Sequence, residues 1–179
     1  MRYLFLFICA CMTAGCVTAR SSVLESSSFT LSPEISRSLD LRDRNGISTP
    51  ESATIIYIDS VAVHHTYSEA STIAWRDDDG RWHWSQASER GPGGLLPIQR
   101  ELEYFRERDI SVSQGQALDR LIQSKEIYQR ETQTSGNIDV GAPMHWMSVV
   151  SPYGQVNIHW NARLVGDLGE IADILLGQA

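Results

Sequence analysis

The chain has 179 residues, a formal net charge of −7 and a hydrophobic fraction of 42%. That length sets a single globular domain as the default, with enough apolar residues to build a core. The acidic balance argues against non-specific binding to nucleic acid or to an anionic membrane surface.

In chain order, the first feature is Met1 to Gly15. One charge, Arg2, precedes the apolar run Tyr3 to Met12. Such a run fits a signal-peptide h-region and falls short of the ~20 apolar residues that span a bilayer. Thr13-Ala14-Gly15-Cys16 follows. Ala14, Gly15 and Cys16 resemble the lipobox of bacterial lipoproteins, with Thr13 standing where Leu is usual. The resemblance implies that residues 1–15 are removed and that Cys16 carries lipid as the first residue of the mature protein. It also implies a cell-envelope address, and Val17 in place of Asp after the Cys implies the outer membrane, facing the periplasm. Cysteine usage agrees. The chain has Cys9, Cys11 and Cys16 only, so cleavage before Cys16 leaves one thiol and no internal disulfide. Acyl chains on that thiol hold a protein to a bilayer at ~0.8 kcal/mol per buried CH₂.

Residues 16–52 combine the lipidated Cys with a Ser-rich stretch lacking a sustained apolar period, which reads as a tether. Within it, a short ordered piece around Phe29 to Leu41 is a candidate to dock on the domain. The domain itself is predicted over 53–179.

Thr54 to His65 is β-branched and apolar, and predicts one long or bent strand. A hairpin follows, turning in Asp77-Asp78-Asp79-Gly80. A two-residue type I′ turn at Asp79-Gly80 sets Trp75 opposite Trp84. It gathers Ile73, Trp75, Trp82 and Trp84 on one face, whereas a three-residue loop would mix Trp with Arg. Leu95, Ile98, Leu102 and Phe105 fall on one stripe of a predicted helix. Ser113 with Gln116 forms a candidate capping box for the next helix, whose apolar face is Ala117, Leu118, Leu121 and Ile122. A loop spans 131–143. Met144 to Asn161 predicts a second hairpin with a bulge at Gly154, pairing Trp146 with Trp160. Asp167 then caps a last helix that ends at Gly177. The order predicts an α+β domain: an antiparallel sheet of about five strands with three helices packed on one face.

Three His-Trp dipeptides stand out: His83-Trp84, His145-Trp146 and His159-Trp160. Strand neighbours face opposite ways. With every Trp turned inward, His83, His145 and His159 share the open sheet face with Met147, Asn157 and Asn161. Three histidines there could hold Zn²⁺ or Cu²⁺; the plainer reading is solvated strand positions and no cofactor. Asp77-Asp78-Asp79-Gly80 lacks the alternating ligands of a Ca²⁺ loop, and Gly91-Pro92-Gly93-Gly94 lacks the Lys-Ser/Thr of a phosphate loop. No G-x-S-x-G is present. Trp82 and Trp84 would form a carbohydrate platform only if the sheet faced the other way.

In its run of hairpin, helix with Leu118, Leu121 and Tyr128, second hairpin and Leu-rich helix, the domain is similar to emfourin-type metalloprotease inhibitors. That implies a fold and no site residues. The leading expectation is a non-enzymatic envelope lipoprotein, with a binding, adaptor or inhibitor-like domain that engages an envelope protein or other envelope component. The alternative is a His-dependent metal-binding protein or hydrolase in the periplasm.

Overall fold

The computed structural model describes residues 32–63, 66–92, 100–128, 143–161 and 164–177. Cys16 lies outside them. The elements run α1 (Pro33–Arg44), β1 (Ala53–Val63), β2 (Thr66–Arg76), β3 (Trp82–Pro92), β4 (Glu101–Asp109), α2 (Val112–Ile122), α3 (Lys125–Tyr128), β5 (Met144–Ser151), β6 (Gly154–Trp160) and α4 (Asp167–Leu176). The fold is α+β. Its antiparallel sheet has six strands rather than about five, in the order β4-β3-β2-β1-β5-β6.

The helices cover both faces of the sheet, not one. On one face α2, α3 and α4 enclose the larger core, with Tyr57, Trp82, Trp84, Met147 and Trp160 beneath Leu118, Ile127, Ile171 and Leu175. On the other face α1 lays Ile35 over Ala53, Ile56 and Ile73. That helix lies inside the stretch read as a tether, where a docking piece around Phe29 to Leu41 was the exception. Ser32 caps it by accepting from the Ile35 amide at 3.2 Å, and Pro33 fits its first turn.

Both hairpins differ from their expected register by one residue. In β2–β3, Trp75 opposes His83 and Arg76 opposes Trp82. The loop is the three-residue Asp78-Asp79-Gly80, with Gly80 at φ +79° and closing bonds Gly80 N–H to Asp77 O and Asp77 N–H to Arg81 O. Mixing Trp with Arg carries no penalty here. The Arg76 guanidinium lies 5.9 Å from the Trp82 ring centroid and pairs with Asp119 of α2 at 3.3 Å. In β5–β6 a two-residue turn joins Ser151 to Gly154 without a bulge, so His145 opposes Trp160 and Trp146 opposes His159.

The helix expected through Leu102 and Phe105 is strand β4 instead. A bulge opposite Ser88/Glu89 places Leu102 across from Glu89 and Phe105 across from Ala87. One extra residue lets a spacing of three keep both side chains on one face, which imitates a helical stripe. The capping boxes also move. Ser111, not Ser113, caps α2, accepting from the Gln114 amide and bonding the Gln114 side chain. Asp167 is the first residue of α4 rather than its cap, while Gly177 ends the helix at φ +69° as expected.

Candidate functional site

The slipped registers scatter the predicted site residues. Residues that oppose Ser71 and Ile73 face α1; those that oppose Tyr57 and Ala74 face α2–α4. By that alternation His83 and His159 lie on the α1 side, and His145 lies on the other. His83 and His159 are also separated by strands β2, β1 and β5, about 19 Å at ~4.8 Å per strand step. The three histidines therefore share no ligand, which corrects the expected convergence. Among the described residues no group of three or more His, Cys, Asp or Glu is placed to hold a metal ion. Met147 and Asn157 likewise fall on opposite faces, with Met147 in the core at 1% exposure. Asn161 sits at the half-buried bend that ends β6.

His83 is held at both ring nitrogens. Nε2 meets Asp77 Oδ2 at 2.9 Å, Nδ1 meets Asp109 Oδ1 at 2.8 Å, and the ring stacks on Trp75 at 5.5 Å. Both nitrogens donate only in the imidazolium. The bond to Asp77 accordingly raises the His83 pKa above 6.5, and the bond to His83 holds Asp77 down to about 2. The signs are opposite. The raised His stabilises the fold fully below pH 6.5, and this is lost as pH rises through its folded value. The depressed Asp stabilises above 3.8, and this is lost as pH falls toward 2. The stability difference between wild type and His83→Gln is therefore expected to peak between about pH 4 and 6.5 and to shrink on either side. Urea melts across pH check this; a difference that does not vary with pH would remove the imidazolium from the account. Taking the difference cancels Asp59, which burial raises to about 6 and which weakens both proteins as it ionises.

On the α2–α4 side, Tyr57 Oη lies 2.7 Å from His145 Nδ1, and Trp160 stacks on the imidazole at 5.3 Å. Burial keeps the phenol protonated and lowers the His145 pKa. A protonated phenol donates, so Nδ1 accepts and the neutral ring carries its proton on Nε2. Asp59 is the cross-strand neighbour of His145. The arrangement is a polar lining for a partly buried corner. A phenol held above its ordinary pKa is a hydrogen-bond donor rather than a nucleophile.

One set of predicted residues does converge. His159 and Asn157 of β6 line a groove of about 410 Å³ with Trp146 of β5 and Ser32 and Glu34 at the start of α1. Trp146 is half-buried, and the Arg37 guanidinium lies 5.4 Å from its ring centroid. The groove thus presents an indole, an amide, an imidazole and a carboxylate. This mixture of one apolar ring with several short-range hydrogen-bonding groups suits a polyhydroxylated ligand. Trp146 was expected inward among the other tryptophans. Its place opposite Ile58 of β1 and His159 of β6 turns it to the α1 side.

Comparison with protein-family models, curated proteins and solved structures gave no match.

Proposed function

We propose that the chain is a lipoprotein of the bacterial cell envelope, anchored through Cys16 at the periplasmic face of the outer membrane, whose domain binds an envelope glycan between α1 and β6. The observation that carries the binding reading is the groove, where Trp146, Asn157 and His159 meet Glu34. The lipobox-like Thr13-Ala14-Gly15-Cys16 supports the anchor. Ser32 follows Cys16 by sixteen positions, so the groove stands at most ~55 Å of chain from the lipid. Binding is favoured over catalysis because His83 has both ring nitrogens bonded to carboxylates and His145 has one bonded to Tyr57.

Calorimetric titration of the purified full-length protein with a β-1,4-linked N-acetylglucosamine tetramer tests the groove. Trp146→Ala is expected to weaken binding at least about tenfold, equivalent to ~1.4 kcal/mol, and Asn157→Ala to weaken it less. Absence of binding, or unchanged affinity in Trp146→Ala, would sink the glycan reading. Mass spectrometry of the N-terminus tests the anchor separately, and an unmodified Cys16 or a different cleavage point would remove it. A rise in melting temperature with Zn²⁺ that His145→Ala abolishes would favour the metal-dependent alternative.

A further inference from the structure

A second cavity, of about 660 Å³, lies on the other face of the sheet, between edge strand β4 and the C-terminal end of α4. Its residues have chemistry that the groove lacks. Arg106 and Arg108 are two apart on β4, so their side chains project to one side about 7 Å apart. They oppose Gln86 and Trp84, which places them on the α2–α4 side. Each guanidinium lies on an aromatic ring, Arg106 at 4.8 Å from Tyr104 and Arg108 at 4.8 Å from Trp84. Neither has an ion pair among the described residues, although the chain carries an excess of acid. The Glu107 side chain between them, opposite Ser85, lies on the α1 side.

Trp84 forms the inner wall beneath Arg108. It lines this cavity at 7% exposure, and its Nε1–H is buried with no acceptor. Buried indole N–H groups ordinarily find a partner. The charged groups that face the cavity from β4 are thus two guanidinium forks without an ion pair among the described residues. Donors of this kind are satisfied by an oxyanion, which two arginines can grip in bidentate fashion. Leu175 and Leu176 form the opposite wall.

We infer that the cavity between β4 and the end of α4 binds an anionic amphiphile, with its carboxylate or phosphate on Arg106 and Arg108 and its apolar part on Leu175 and Leu176. The site shares no residue with the groove of Trp146, so it stands or falls independently of the glycan reading.

The test is a titration of the full-length protein with octanoate, octyl phosphate and inorganic phosphate at low ionic strength, followed by calorimetry. One of the two octyl compounds is expected to bind saturably, and which one identifies the headgroup. Arg106→Gln and Arg108→Gln, both at exposed positions, are each expected to weaken it at least about tenfold. Trp146→Ala is expected to leave it unchanged. The inference is overturned if neither octyl compound binds, if the double arginine variant binds as wild type does, or if inorganic phosphate binds as tightly as octyl phosphate, since the leucine wall would then contribute nothing.

Discussion

Arg42→Ala is expected to lower the unfolding free energy by about 3 kcal/mol and the melting temperature by roughly 10 °C. The Arg42 side chain of α1 is fully buried against the sheet, and among the described residues no carboxylate pairs with it. Its guanidinium instead spans β2 and β3. Nε donates to Ser71 Oγ at 2.8 Å, Nη1 to Ser85 Oγ at 3.0 Å, and Nη2 to the Ser71 and Ser85 carbonyls at 3.2 and 2.9 Å. Ser38 of the same helix donates to Ser71 Oγ at 2.7 Å. Desolvation opposes the arrangement and pulls the Arg42 pKa down to about 10, with Glu107 countering in part. Truncation would relieve that desolvation. It would also leave a cavity the size of a large side chain and strand two serines and two carbonyls away from water. The second effect wins because hydrogen bonds to a charged donor contribute ~1.5–3 kcal/mol each, and large-to-small changes cost ~2–5 kcal/mol. Arg42→Lys should recover little, since a point charge cannot reach two strands with a planar fork. Chemical denaturation of the three proteins decides it; a loss below about 1 kcal/mol in Arg42→Ala would mean that α1 is held by Ile35 and Leu41 alone.

Gly169→Ala is expected to destabilise by about 1–3 kcal/mol, the reverse of the usual sign. Within an ordinary helix the same change gains ~1 kcal/mol by propensity. Gly169 is inside α4 with its backbone against the segment that enters the helix. A Cβ there would stand 2.4 Å from the Leu164 carbonyl oxygen and 2.8 Å from its carbon. Those are backbone atoms, so no flexible side chain can swing aside. Leu164 packs on the main core, and relieving the clash means lifting either it or the first turn of α4. A thermal melt of the variant reads the sign directly. A raised melting temperature would show that the approach to α4 yields at little cost.

The class of the fold was legible in the sequence, and the reasons are local. The β-branched, apolar run from Thr54 to Val63, the apolar stripe of Leu118, Leu121 and Ile122, and Gly177 after the last helix are signals carried by neighbours in sequence, although the cap of α2 was placed at Ser113, two residues late. Register was not legible, because it turned on one residue in each hairpin. Asp79-Gly80 fits a two-residue and a three-residue turn alike, and the cation–π contact and ion pair of Arg76 that favour the longer loop involve Trp82 and Asp119, far along the chain or across it. The bulge in β4 disguised a strand as a helix for the same reason: its partner, Ser88/Glu89, lies on another strand. These slips moved the candidate sites. His159 and Asn157 were visible as strand histidine and amide, but Trp146 was assigned inward. Arg42 lay in a segment read as tether, where no pattern marks an arginine that will be buried.

The central position of β1 has a consequence for how the domain is assembled. On one side β1 pairs with β2 across residues 64–65 alone; on the other it pairs with β5, after residues 64–143 have intervened. Short closures form sooner and at less entropic cost than long ones. The β1–β4 meander is thus expected to form first, leaving Ile55, Ile56, Tyr57 and Ile58 along a bare edge until β5 arrives. For that interval the most apolar stretch of the sheet is open to strands of other molecules. A nascent chain is therefore most prone to aggregate before Met144 to Ser151 has been made and docked, and the β5–β6 hairpin serves β1 as a permanent guard.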